Sequence, residues 1–421
     1  LDAAQCGAAI ESEGVAMSSP EKTQTARVLV VGQTPPPYHG QGIMLERLVK
    51  AEMNSVTKHH VRMAFSSDMD QVGRFRVSKL LHLMSVVAQI VYHRFAQRLE
   101  ILYYPPAGPN RIPMWRDFVI LVCTRWLFKK TVFHLQASGI SELYGRIGWL
   151  ERWFFRRAYF RPDLVIRLSE FALEDGKALE AVEELIIPNC ADDELEKFGS
   201  VMQARAARDA TEPVRLLYLG TVCRSKGIFV LLDACRQLVV DRVNFHLDVV
   251  GSFQPASLAA EIHAAIAEGS LQDHVTLCGQ LTGSEKFAKF AGADLFCFPS
   301  HYESEAFPCV LVEAMSFELP TVSTRWRGIP SIVEDGETGI LVSPQNSSEL
   351  AVALQRLCGD PMLRQRLGTA GRVKFEREFT TERHVELMES ALSSVAEPGP
   401  KLTPMATRSA AAKGQEMMSG S

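Results

Sequence analysis

Two glutamates, Glu305 and Glu313, flank a segment that changes character between them, with seven residues intervening. The run 294–298 is apolar enough for a buried strand and is stopped by Pro299; Pro308 sits where a first helical turn tolerates proline, and 310–315 continue as helix. Glu305 is therefore expected in a loop and Glu313 on a helix. The unpaired N–H groups that open such a helix favour a phosphate. Carboxylates beside a diphosphate would repel it, so their natural partners are neutral hydroxyls, which donate strong hydrogen bonds to a charged acceptor. The chemistry this spacing suits is the binding of a phosphorylated, hydroxyl-rich molecule.

A cation for that phosphate is available upstream. Lys226 follows the apolar run 214–219 and precedes Gly227 and the helical pattern 227–234, so its ammonium can reach an anion at that helix end. A Lys-Gly pair by itself is a surface turn. It gains meaning from its place in an ordered series: Gly220 through Gly227, Val249-Val250-Gly251, Gly279-Gln280-Leu281, Ala293-Asp294, the two glutamates followed by Ala314-Met315, Pro320-Thr321-Val322, Gly328-Ile329-Pro330, and Asp335 through Gly339.

This series resembles the retaining glycosyltransferases of the GT-B fold, most closely family 4, over roughly residues 214–345 and more loosely in the N-terminal half. The resemblance implies two Rossmann-like α/β domains facing a central cleft and a hexosyltransferase-type activity (EC 2.4) that retains anomeric configuration without a metal. It implies no cofactor, the donor being a UDP- or GDP-sugar. Glu305 would contact the donor sugar, Glu313 the ribose, and Lys226 the leaving diphosphate, with Gly220, Ala306 and Phe307 in the donor site. Gly40 and Gly42, after three prolines, resemble the N-domain glycine loop that approaches the donor phosphates, where glycine permits close backbone approach. His134, ending a strand, resembles a histidine that touches the sugar, with Gln136 as the other alignment. The chain departs from the family at Thr221, where an arginine is common, and at Ala306, where glycine is; Arg224 is the candidate replacement cation. A nucleotide-sugar-binding subunit without transfer activity and a GT-B epimerase remain the alternatives. A dinucleotide enzyme is disfavoured because the loop after Gly32 lacks G-x-G-x-x-G.

The rest of the chain supports two domains. Its 421 residues, 47% hydrophobic and 22% charged, suffice for two ordinary cores. Short β-branched or apolar runs at 27–32, 101–104, 130–134 and 164–167, and again at 214–219, 245–250, 274–277, 295–298 and 321–323, alternate with helical stretches, as parallel α/β sheets require. The expected division is an N-terminal extension (1–26, without a secretory pattern), an acceptor domain (27–200), a nucleotide-sugar domain (201–377), a helix that by resemblance packs back on the first domain (378–395), and a solvated tail (396–421). Nine scattered cysteines without a C-x-x-C pair point to free thiols and a reducing cytoplasm. Asp68-Met69-Asp70 reads as a solvated loop rather than a metal motif.

Net charge is −4, yet residues 27–167 hold 21 Lys/Arg against 9 Asp/Glu, so this stretch carries +12 and the remainder −16. Such a split predicts an anionic surface as partner of the first half. Residues 146–161 interleave large aromatics with arginines, as 74–98 does more weakly, which suits the inner face of a cell membrane. No apolar run is long enough to span a bilayer, and no nucleic-acid motif is present. The resemblance and the basic half together imply a lipid-linked or saccharide acceptor in cell-envelope or exopolysaccharide assembly.

Overall fold

The computed structural model describes residues 25–36, 40–64, 77–171, 173–209 and 211–396. The run 37–39, the Asp68-Met69-Asp70 motif, most of the N-terminal extension and nearly all of the tail lie outside the described residues. The first half runs β1 (Ala26–Gly32), α1 (Gly40–Lys50), β2 (Val56–Arg62), α2 (Val77–Ala96), β3 (Ile101–Tyr104), α3 (Arg111–Thr124), β4 (Lys130–Leu135), α4 (Ile140–Arg146), α5 (Trp149–Tyr159), β5 (Leu164–Arg167), α6 (Asp175–Ala178) and β6 (Glu183–Ile186). The second runs α7 (Gly199–Ala206), β7 (Val214–Leu219), α8 (Ile228–Val240), β8 (Phe245–Val250), α9 (Leu258–Glu268), β9 (Val275–Gly279), α10 (Gly283–Gly292), β10 (Leu295–Phe298), α11 (Cys309–Ser316), β11 (Thr321–Thr324), α12 (Ile329–Ile332) and β12 (Gly339–Val342). Then α13 (Ser347–Gly359), α14 (Pro361–Glu378) and α15 (Thr381–Ala396) close the chain.

Each half is a six-stranded parallel sheet, in the orders β2-β1-β3-β4-β5-β6 and β12-β11-β10-β7-β8-β9. Both orders reverse direction beside their first strand, between β1 and β3 and between β7 and β10. Open parallel sheets bind ligands outside the carboxyl ends of the strands at such a reversal. The loops that matter are therefore those after β1, β3, β7 and β10.

The strands read as unbroken apolar runs because both faces are covered. In β1, Leu29 and Val31 join the core under α2, α3 and α5, whereas Val28 and Val30 join the opposite core under α1 and α15. Strand periodicity of two sorts neighbouring residues onto opposite faces, so a doubly covered strand shows no alternation. Met388, Ala391 and Leu392 of α15 bury against Val28, Val30 and Val132 in the N-terminal core. The final helix thus crosses back over the first domain. An isolated bridge between Ala191 and Thr380 and the Arg372–Asp193 ion pair fix the two interdomain crossings side by side.

Candidate active site

The loop after β7 turns tightly. Gly220, at φ +149°, donates its N–H to Val250 O, and a 3-10 turn over Arg224–Lys226 leads into Gly227, which caps α8 at φ +82°. A Cβ on Gly227 would stand 2.1 Å from Pro299 O, so only glycine lets this turn press against the loop after β10. His301 N–H donates to Ser225 O at 2.8 Å, stitching the two loops together across the reversal.

That stitching brings Lys226 onto Glu305. The ammonium pairs with Glu305 Oε2, and Ser300 Oγ donates to the same oxygen at 2.7 Å. Phe298 and Tyr302 flank the ammonium, with ring centroids 5.3 and 4.8 Å away. The lysine side chain is 18% exposed and the glutamate 8%, so the pair sits in a low-dielectric wall where its charges act strongly. From the other side, Gly328 closes on the carbonyl of Ala306, to which a Cβ would come within 1.7 Å, and Trp326 Nε1 donates to Tyr302 O at 2.8 Å. Ala306 and Phe307 are both buried, and the Phe307 ring packs edge-on against Phe379, 5.7 Å away. Their backbone, rather than their side chains, shapes this loop.

Glu313, on α11, is held in a separate ion pair with Lys286 Nζ of α10 at 2.8 Å, both side chains largely covered. One turn before it, burial and then the Glu313 charge push the Cys309 thiol up to about 12. Cys309 is thus protonated at neutral pH and is no nucleophile. Arg224 turns away from Lys226: it pairs with Glu261 of α9 and stacks over Phe229 at 4.6 Å. In this conformation its guanidinium is directed at Glu261 rather than toward Lys226 and the turn before α8.

In the N-terminal domain Gly40 and Gly42 lie in the first turn of α1, at that sheet's own reversal, rather than in a free loop. His134 departs from the expectation. It is 1% exposed, its Nδ1 lies against Tyr103 Oη, Gln136 Nε2 lies 3.0 Å from its Nε2, and the ring of His384 from α15 lies 6.5 Å away. Burial, then the neighbouring His384, hold its imidazole down to about 3. A ring so enclosed and neutral has no open face for a sugar. The reason is parity: Val132 faces the core under α1 and α15, and so does His134, two residues on. Gln136 in turn accepts from buried Asn189 Nδ2 at 3.1 Å.

The two domains meet at these edges. Arg146 at the end of α4 lies 3.8 Å from Glu303, and Arg327 lies 3.9 Å from Glu142, so the carboxyl ends of the two sheets face each other across the cleft. Sequence reasoning missed Ser300 and Lys286. Ser300 directly follows the strand-ending proline, which is a usable signal; Lys286 on its amphipathic helix offers none. Among the described residues no group of three or more His, Cys, Asp or Glu could hold a metal ion, and the described cysteines are free thiols.

Residues 203–374, which contain the whole second sheet, match the family model for Glycosyl transferases group 1. The amylovoran biosynthesis glycosyltransferase AmsK of Erwinia amylovora is 33% identical over 177 residues, 41% of this chain and 43% of that protein. The match therefore spans less than half of that relative's length. The putative colanic acid biosynthesis glycosyltransferase WcaL of Salmonella typhimurium is 25% identical over 325 residues, 76% of this chain and 75% of that protein. Anabaena Alr3699/HepE, solved in complex with UDP and glucose, superposes with a TM-score of 0.67 at 18% identity, covering 88% of this chain and all of that one.

Proposed function

We propose, from the premise that this is a GT-B fold whose second domain is of the group 1 glycosyltransferase family, that the protein is a retaining transferase of family 4 type. It moves a sugar from a nucleoside diphosphate donor, UDP- or GDP-linked, to an acceptor hydroxyl. The observation that carries the reading is the Lys226–Glu305 pair, built from the two loops that flank the reversal of the second sheet.

In this reading the diphosphate lies at the turn before α8, where Lys226 and unpaired helix N–H groups meet the charge that grows on the leaving group. Glu305, steadied by Ser300, accepts hydrogen bonds from the donor sugar, and Glu313, steadied by Lys286, from the ribose. Gly40 and Gly42 let the first turn of α1 approach the phosphates from the facing domain. His134 acts beneath Gln136, fixing that amide at the cleft rather than touching substrate. Lysine and helix ends carry the neutralisation, so no divalent cation is assigned a step. A leaving phosphate oxygen that gains basicity takes the acceptor proton on the same face, which preserves configuration. AmsK and WcaL are named for amylovoran and colanic acid biosynthesis, which supports a saccharide or lipid-linked acceptor.

A thermal-shift panel of UDP- and GDP-sugars tests the donor class, since selective binding to the folded state raises its melting temperature. One family of donors is expected to stabilise, and transfer from it, followed by NMR of the anomeric proton, is expected to retain configuration with EDTA present. Interconversion of the donor sugar without transfer would instead establish an epimerase, and binding without turnover an inert subunit.

A further inference from the structure

We propose that the outer face of the α2–α3–α5 layer docks on an anionic lipid bilayer. This reading does not depend on the donor chemistry. The helices lie side by side, α2 against α3 and α3 against α5, over one face of the first sheet. α2 is apolar on both sides: Leu83, Val86 and Ile90 bury inward, while Leu81, Met84, Tyr92 and Phe95 are 68, 53, 66 and 61% exposed on an outward stripe. A surface helix ordinarily turns polar residues outward, and α2 contains no aspartate or glutamate.

The stripe continues across its neighbours. On α3, Ile112 and Trp115 are 64 and 42% exposed, and on α5, Trp149 and Trp153 are 82 and 51% exposed. Phe154 bridges Trp115 and Trp153, at ring distances of 6.0 and 4.9 Å, so the aromatic surface is continuous between α3 and α5. Contiguous apolar surface of this kind marks an interaction site.

Charge selects the partner. Arg111, Arg146, Arg152, Arg156 and Arg157 are exposed on α3, α4 and α5, and Arg157 lies 5.6 Å from the Trp153 ring. The one carboxylate on the outer side of α5, Glu151, is 14% exposed and already paired with Arg111. A second copy of the chain on this face would set arginines against arginines, whereas acidic lipid headgroups accept them while the tryptophans enter the interface. No described helix is long and apolar enough to cross a membrane, so the contact lies along the surface. Arg146 also touches Glu303 at the cleft, which puts the rim of the candidate site beside the docking face.

The full chain should float with vesicles of equal parts phosphatidylcholine and phosphatidylglycerol at low salt, and much less with phosphatidylcholine alone. Trp149→Ser with Trp153→Ser should weaken retention by at least about tenfold, the equivalent of burying one large side chain. A second pair, Leu81→Ser with Tyr92→Ser, should do the same. All four residues are exposed, so melting temperature and any transfer to a soluble acceptor should be unchanged. Absence of flotation at low salt would overturn the proposal, as would equal flotation on neutral vesicles unaffected by the variants. Self-association without lipid that either pair abolishes would overturn it in favour of a second copy.

Discussion

Replacing Lys226 and Glu305 separately and together tests the site through an opposition of sign. Lys226→Met leaves Glu305, 7% exposed, with Ser300 as its remaining partner among the contacts described. Stranding one member of a buried pair costs about 3 to 5 kcal/mol, and the partial exposure of the lysine side chain argues for the lower end. Glu305→Gln strands a better-hydrated cation that can turn to water, at about 1 to 2 kcal/mol. The double variant should cost less than the sum, by about 1 to 3 kcal/mol of coupling. Ligand binding separates the two further. Lys226→Met removes a charge-assisted bond to phosphate worth about 1.5 to 3 kcal/mol, so UDP or GDP should bind roughly 10 to 150-fold more weakly. Glu305→Gln removes a carboxylate that both occupies the ammonium and repels the diphosphate. The same nucleotide should then bind about fivefold more tightly, a gain of about 1 kcal/mol, even as sugar transfer falls. Isothermal titration calorimetry with free UDP and GDP reads this without any acceptor. If Glu305→Gln weakened the nucleotide as much as Lys226→Met, or Lys226→Met left affinity unchanged, the shared-lysine reasoning would fail.

Two further outcomes follow from the packing. Burial holds His134 down to about 3 and His384 down to about 4, below the unfolded value of about 6.5. Their contribution is present in full above about pH 6.5 and is lost as pH falls toward the folded values, because the unfolded chain binds the protons first. Each should therefore subtract up to about 2 kcal/mol between pH 7 and pH 5, a loss that His134→Gln should roughly halve in urea titrations; a flat profile in the parent would contradict the burial. Gly227→Ala forces a side chain into the left-handed region at φ +82° and toward Pro299 O, and should cost about 2 kcal/mol or more. An unchanged melting temperature in that variant would mean the turn is not closed as described.

What could be read from the chain alone divides along physical lines. The central strands were legible because burial on both faces makes them unbroken apolar runs, as in Val28 to Val31. The edge strands of the first sheet were not: β2 (Val56–Arg62) and β6 (Glu183–Ile186) are partly exposed and carry Lys58, Glu183 and Glu184, so they resemble loops. The candidate residues were legible as residue types because Glu305 and Lys226 fall beside strand and helix boundaries and Glu313 lies on the helix that follows. Their partners were not, because ion pairs such as Lys226–Glu305, 79 residues apart, and Lys286–Glu313 depend on how helices pack. His134 shows the limit most clearly. Its place at a strand's carboxyl end suggested a substrate contact, but which face it points to depends on strand parity, and what covers that face comes from α15, some 250 residues later.

The ion pair also resolves a conflict in the site's chemistry. Under the proposed function, a site that holds a diphosphate and also presents carboxylates to sugar hydroxyls places like charges near each other, and at an effective dielectric of about 20 two unit charges 4 Å apart repel by about 4 kcal/mol. Pairing each glutamate with a lysine, Lys226 with Glu305 and Lys286 with Glu313, cancels most of that repulsion before any ligand arrives. Lys226 stands at the turn between the two needs, so an entering phosphate shares an ammonium already positioned rather than recruiting a mobile one from solvent. Each of the two pairs is then neutral as a unit before a ligand binds. In the proposed reaction, growth of charge on the leaving group would strengthen the lysine's hold on it and loosen its hold on Glu305. A lysine in that role would stabilise the transition state more than the bound donor, which is the condition for an interaction to raise turnover rather than affinity alone.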